Sequence, residues 1–119
     1  MEVHRPKIRS AIPRRRYRVG QFTMVVLGEV DSPDATDYRY ILATVVEGGS
    51  EPGLYITSER APAERRAEGS HIMRVIMRDG AQVIGASDRW AELGSFTEDA
   101  LSAAVRILNL GDEQIRQLM

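Results

Sequence analysis

The stretch SHIMRVIMRDGAQVIGAS, residues 70–87, carries the strongest local signal for secondary structure in this chain. Two runs that alternate between apolar and other residues stand on either side of an Asp-Gly pair at positions 79 and 80. Asp-Gly is a preferred pair for a two-residue β-hairpin loop. The sequence therefore predicts a hairpin in which Met77 lies opposite Gln82 and Val75 lies opposite Ile84.

Strand patterns also precede this hairpin. Residues 17–30 predict one long strand with a bend at Gly20 or Gly28, because glycine inside a strand often marks a bend. Residues 37–47 and 54–59 are rich in β-branched and aromatic residues, which favour strands. The polar loop that follows contains Pro62, a residue suited to the start of one helical turn.

A helix is predicted over residues 96–110, where apolar residues recur at helical spacing. Ser95 and Glu98 have the spacing of a capping box, and Thr97 is the alternative cap. Gly111 is suited to the helix C-terminus.

The last residues, 112–119, predict a short second helix with Ile115, Leu118 and Met119 facing inward. Strands followed by a helix are typical of an α+β fold. We therefore expect an antiparallel sheet of about five strands, arranged as a meander, packed against a C-terminal helix.

Basic charge is concentrated near the N-terminus. Residues 5–18 hold seven of the sixteen basic residues and no acidic one, whereas the rest of the chain is acidic. Pro6 and Pro13 disfavour a helix there. We predict that residues 1–16 form a basic, flexible N-terminal arm and that residues 17–119 form a single α+β domain.

The arginines of this region, Arg14, Arg15, Arg16 and Arg18, are candidate binding residues for an anionic partner. Nucleic acid is one alternative, through neutralisation of phosphates. An anionic membrane is another, but no amphipathic pattern accompanies the charge. An acidic protein surface is favoured over both, because the rest of this chain is itself acidic. A solubilising tail without a partner is the remaining alternative.

The predicted sheet has one face that is neither clearly apolar nor clearly polar. Ile72 and Ile76 alternate there with Arg74 and Arg78, which we take as further candidate binding residues. A single short helix covers only one face of a sheet. The mixed face is therefore covered by curling of the sheet, by the leader, or by a second copy of the chain, and we expect a homodimer.

Residues suited to catalysis are sparse. The chain has no cysteine, which excludes disulfides, thiolate metal sites and a cysteine nucleophile. Two histidines, His4 and His71, do not make a zinc site. Ser70 precedes His71, but neighbouring residues of a strand point to opposite faces, so we expect no pair between them. We predict no catalytic residue, no metal and no cofactor.

Trp90 follows the hairpin beside an arginine and is a candidate recognition residue, with packing against the helix as the alternative. Arginines 60, 65 and 66 lie among glutamates and predict a solvated loop. No apolar run approaches the length of a membrane-spanning helix. We expect a cytoplasmic, non-enzymatic interaction module. A nucleic-acid accessory protein is the first alternative, and a ligand or catalytic site around Arg74, Arg78 and Tyr40 is the second.

Overall fold

The computed structural model of the protein describes residues 5–119. They form one antiparallel sheet of seven strands with a single α-helix near the C-terminus. The strands are β1 (Ser10–Val19), β2 (Phe22–Asp31), β3 (Tyr38–Val46), β4 (Leu54–Arg60), β5 (His71–Met77), β6 (Gly80–Ser87) and β7 (Ile115–Gln117), and the helix is α1 (Leu93–Ile107). The predicted α+β class and antiparallel sheet are confirmed, with seven strands in place of about five.

The first six strands form a meander in chain order, and the seventh strand lies at the other edge of the sheet. Its order is β6-β5-β4-β3-β2-β1-β7, so β7 returns from the end of the chain to pair with β1. Two 3₁₀ turns, Ala63–Arg65 and Asp88–Ala91, lie in the connections that flank β5 and β6. The first follows Pro62, as predicted.

One side of the sheet shares a hydrophobic cluster with α1. Phe96, Ala100 and Ala104 of the helix are fully buried together with Met24 and Leu42 of the sheet. The helix begins after Glu92, whose carboxylate accepts hydrogen bonds from the backbone N–H groups of residues 94 and 95. The predicted caps at Ser95 and Thr97 are therefore wrong, because the glutamate three residues earlier already satisfies the free N–H groups.

The other side of the sheet is buried as well. Ile41 is fully inaccessible, and Ala43, Tyr55 and Ile76 are buried in the same cluster. The N-terminal segment, residues 5–9, contacts the loops at both ends of β3. Arg5 pairs with Glu51, and the Lys7 N–H donates to Asp34. Pro6 is buried.

The boundary predicted between an arm and a domain falls inside a strand. Ser10–Arg16, assigned to the arm, lies in β1 and pairs with β2. Pro13 is tolerated because β7 covers only the end of β1, which leaves Pro13 on a free edge that needs no N–H. The first four residues of the predicted arm lie outside the described residues.

Two further predictions fail at turns. Residues 17–30 are two strands, because Gly20 with φ 58° opens a hairpin between Val19 and Phe22. Positive φ at the first central position is the requirement of a type II′ turn. The C-terminal residues form β7 in place of a second helix, and Ile115, Leu118 and Met119 are exposed.

The hairpin of residues 70–87 exists, but its register is shifted by two residues next to the turn and by one beyond the bulge at Ile84. Met77 pairs with Gly80 and Val75 with Gln82, so Arg78 and Asp79 form the turn. Neither has a positive φ, which excludes the type I′ turn expected of an Asp-Gly loop. The helix end also differs: Asn109, with φ 56°, terminates α1 in place of Gly111.

Within residues 5–119, no helix is long and apolar enough to cross a membrane.

Candidate functional site: an arginine-lined cavity

A large cavity lies at the end of the sheet near the N-terminus of α1. Its volume is about 710 Å³, within the range of small-molecule sites. Strands β1 to β5, the loop after β4 and the 3₁₀ turn before α1 all contribute to its wall. We call it the arginine cavity, after the four arginines that line it: Arg14, Arg39, Arg60 and Arg66.

Two of these arginines are the extra residues of β-bulges. In β1, Pro13 pairs with Leu27 and Arg15 with Val26, so Arg14 has no partner in the ladder. In β3, Tyr38 and Tyr40 pair with adjacent residues of β4, so Arg39 is the extra residue there. A bulge redirects the side chain of its extra residue and is frequent beside active sites. The bulges thus direct both arginines into the cavity.

A third bulge lies on β2 at the same cavity. Two residues of β2, Glu29 and Val30, stand opposite one residue of β1, and both line the cavity. Glu29 has φ 47°, the left-handed region that side chains other than glycine rarely adopt. Irregular backbone is therefore concentrated around this cavity.

The neighbours of Arg14 and Arg39 restrict their positions. A Cβ atom on Gly28 would lie 3.0 Å from Arg14 Cγ, so the absence of a side chain there makes room for the arginine stem. Arg39 Nε donates to the Ala91 carbonyl at 3.0 Å. The Arg39 guanidinium also lies 5.2 Å from the centre of the Tyr40 ring. Among residues 5–119, no hydrogen bond engages the Nη nitrogens of Arg39, which leaves them available to a ligand.

The opposite end of the cavity is formed by the end of β4 and the loop that leads to β5. Arg60 pairs in register with His71, and Arg66 Nε donates to the Ala61 carbonyl at 3.1 Å. Gly69 holds this loop against β6, because a Cβ there would lie 2.4 Å from Ser87 N. The loop predicted to be merely solvated thus supplies one wall of the cavity.

Ser70 and His71 form a hydrogen-bonded pair in this wall, with 2.8 Å between Ser70 Oγ and His71 Nδ1. The prediction that they would not pair is wrong. Strand β5 begins at His71, so Ser70 lies in a bend outside the alternation of the strand.

Charged neighbours make protonation of His71 unfavourable. Burial lowers the pKa of His71, and the positive charges of Arg39 and Arg60 lower it further, while Asp37 and Asp88 oppose them. The histidine is therefore biased towards its neutral form, first by its burial and then by the arginines that line the cavity.

Tyr38 and Asp37 complete the middle of the cavity. Burial raises the pKa of Tyr38 to about 12, helped by the hydrogen bond that its hydroxyl donates to Asp34. The phenol is therefore neutral at ordinary pH. Asp37, like Glu29, is an exposed carboxylate on the cavity wall.

The remaining candidate residues from the sequence lie elsewhere. Arg15 donates to a backbone carbonyl, and Arg18 pairs with Glu47 at 3.1 Å. Arg16 pairs through its backbone with the C-terminal residues. Arg78 is in the exposed turn between β5 and β6. Arg14 thus lines the cavity and Arg18 is paired outside it, so the four arginines of this stretch do not form one continuous unpaired surface.

Two candidate residues are engaged in structural contacts. Arg74 Nε donates to the buried Glu59 carboxylate at 2.9 Å, and Thr57 also donates to that carboxylate. Trp90 is half-buried against the core, and its indole N–H donates to Asp99. Tyr40 lies in the cluster with α1, whereas Arg74 lies on the opposite side, so the site predicted around both does not form.

No group of three or more potential metal ligands occurs among residues 5–119. Comparison with protein-family models, with curated proteins and with solved structures finds no match to this chain.

Proposed function

We propose that this protein binds a small anionic ligand in the arginine cavity. The observation that carries the proposal is the pair of β-bulges that direct Arg14 and Arg39 into one cavity. A bulge interrupts the ladder and costs hydrogen bonds, so two of them at one site favour a functional role over a structural one.

The absence of carboxylate partners for the four cavity arginines among the described residues supports an anion as the ligand. Among residues 5–119, none of the four pairs with a carboxylate, although other arginines of the chain do. Guanidinium groups bind phosphate and carboxylate through two parallel hydrogen bonds. Four arginines face two carboxylates in the cavity wall, so the cavity carries excess positive charge.

Calorimetric titration with phosphate and with sulfate tests this proposal. We expect saturable binding by the intact chain, and a loss of at least tenfold in affinity for Arg60→Ala and for Arg66→Ala, since each removes a charged hydrogen-bond donor worth about 1.5–3 kcal/mol. Arg78→Ala is the matched control, because it removes the same charge from an exposed turn outside the cavity. Equal losses in all three variants would contradict the proposal.

The dispersal of Arg14, Arg15, Arg16 and Arg18 weakens the nucleic-acid alternative. A phosphate backbone needs several basic groups along one surface. Here one of the four enters the cavity and another is paired with Glu47.

A second proposal concerns a homodimer formed through the edge of the sheet. Strand β6 is an edge strand whose residues 81–87 include no charged residue and no proline, two common protections of an exposed edge, although Ile84 forms a bulge within it. Beside it lies a groove of about 540 Å³, which we call the apolar groove, lined by Val75, Met77, Ile84, Ala103 and Ile107 among others.

The charges at the two ends of β6 suit antiparallel pairing of two copies. With the twofold axis at Val83, Arg78 of each copy stands opposite Asp88 of the other. With the axis at Ile84, Asp79 stands opposite Arg89. Sedimentation at low micromolar concentration distinguishes a dimer from a single 13.3 kDa species, and the latter would exclude the homodimer.

A further inference from the structure

The four arginines lie at separate places along the arginine cavity. Arg14 is on β1 and Arg60 is on β4, three strands away in the sheet. Neighbouring strands are about 4.8 Å apart, so the two backbones are separated by roughly 14 Å. Arg66 and His71 are on the same side as Arg60, and Arg39 is between the two ends. Arg14 and Arg60 therefore lie towards opposite ends of the cavity, with the cavity-lining residues of β2 and β3 on the strands between them.

Carboxylates occupy the space between these ends. Glu29 on β2 and Asp37 at the start of β3 both line the cavity, and neither pairs with an arginine among the described residues. They repel a ligand with negative charge along its whole length, such as a polyphosphate. They also accept hydrogen bonds, which favours hydroxyl groups in the middle of the ligand.

We propose that the natural ligand is an elongated small molecule with an anionic group at each end and an uncharged, hydroxyl-bearing middle. Arg14 binds one anionic group, and Arg60 and Arg66 bind the other. A sugar bisphosphate and a long hydroxylated dicarboxylate both have this chemistry. This inference rests on the proposed function, because it presumes that the arginine cavity binds anions.

A series of α,ω-bisphosphonates with alkyl spacers of increasing length measures the distance between the two anion-binding ends. Alkylphosphonates of the same lengths, which carry one anionic group, are the reference for each member of the series. We expect affinity to pass through an optimum at one spacer length. At that length the bisphosphonate binds at least tenfold more tightly than the alkylphosphonate, because the second group binds intramolecularly.

Arg14→Ala is the decisive variant. It removes the gain in affinity of the bisphosphonate over the alkylphosphonate at the optimal length, while Arg78→Ala leaves that gain unchanged. Resonances of the Arg14 side-chain N–H in the intact chain supply a second measurement that does not depend on the variant. They shift with the optimal bisphosphonate and stay unchanged with the alkylphosphonate.

The same series bears on the identity of the natural ligand. We expect a sugar bisphosphate or a hydroxylated dicarboxylate of the optimal length to bind more tightly than the alkyl compound with the same end groups. Only the hydroxylated compounds can donate hydrogen bonds to Glu29 and Asp37. Weaker binding would contradict the hydroxyl-bearing middle.

Two outcomes separate this inference from the proposed function. Equal affinity for bisphosphonates and alkylphosphonates at every length, or a length optimum that persists in Arg14→Ala, overturns the two-ended ligand and leaves the anion site standing. Absence of binding by every anion, including phosphate and sulfate, overturns the anion site itself.

Discussion

The arginine cavity and the apolar groove lie by opposite ends of α1, and the same backbone device produces both. Bulges at Arg14 and Arg39 direct charged residues into the first, while Ile84 is the extra residue of a bulge in β6 that lines the second. Only the chemistry of the extra residue differs. A bulge thus sets where a side chain points, and the residue at the bulge sets the chemistry of the surface there.

The arginine cavity and the apolar groove also differ in how far the surrounding chain encloses them. The wall of the arginine cavity includes the 61–70 loop, which Gly69 holds against β6. The apolar groove lies between the β5–β6 hairpin and the C-terminal half of α1, and its edge strand is open. The first is therefore enclosed on several sides, as the proposed anion site requires, and the second lies beside an exposed strand, as the proposed dimer requires.

The largest effect is expected at the loop that closes the arginine cavity. Gly69→Ala places a Cβ 2.4 Å from the backbone of Ser87, which cannot move without disturbing the end of β6. We expect a loss of about 2–3 kcal/mol in the free energy of unfolding. Denaturant unfolding measures it. Gly53→Ala is the control, since its Cβ meets nothing within 4 Å, and a loss there as large as at Gly69 would disprove the steric explanation.

A smaller loss of stability is expected when Arg74, which pairs with Glu59, is replaced, and almost none when the cavity residue Arg60 is replaced. Arg74→Met leaves the Glu59 carboxylate, whose side chain is 6% exposed, without its ionic partner. We expect a loss of about 2 kcal/mol, below the range for a fully buried pair because Arg74 itself is partly exposed. Arg60→Ala removes no ion pair, so its stability stays within about 0.5 kcal/mol of the parent. A large loss in Arg60→Ala would make it a structural residue.

Much of the fold can be predicted from the sequence. The alternation of residues 71–77 and 80–87, the β-branched composition of 38–46 and the helical spacing in α1 all correspond to observed elements. Local pattern determines these elements because burial on one face imposes period 2 on a strand and period 3.6 on a helix.

The candidate site was not predictable in the same way. An extra residue in a bulge breaks the alternation without a sequence mark, so Arg39 reads as an ordinary outward residue between Tyr38 and Tyr40. Arg14 and Arg60 are distant in sequence, and only the order of strands brings both to one cavity. The one available signal was Gly28, from which we predicted a bend in a strand; its missing side chain instead makes room for the stem of Arg14.

The pH dependence of anion binding tests the electrostatics of the arginine cavity. His71 faces Arg39 and Arg60 together with Asp37 and Asp88, and its pKa is lowered by burial and by the arginines. A bound anion opposes that effect and raises the pKa of His71. Anion binding is therefore coupled to proton uptake by His71. The affinity for the anion rises as pH falls through the pKa of His71 in the complex, and it becomes constant below the lower pKa of His71 in the free protein.

We expect a several-fold gain in affinity across this window, measured by calorimetry with sulfate, whose own charge is constant there. Buffers of different ionisation enthalpy report the proton uptake directly. His71→Gln loses the pH dependence and keeps binding. Affinity independent of pH in the intact chain would show that the anion does not reach His71.

The smallest effect on folding is expected at the apolar groove. Ile84 is 47% exposed, so Ile84→Lys changes the free energy of unfolding by no more than about 0.5 kcal/mol. If β6 pairs with a second copy, the same substitution places two lysines beside the twofold axis, and their repulsion converts the dimer to monomer in sedimentation.

Ile12→Lys on β1 is the control, with a side chain of similar exposure, 48%, away from β6. A dimer that survives Ile84→Lys and dissociates in Ile12→Lys would move the interface to the opposite edge, where Pro13 and the short β7 otherwise disfavour strand pairing.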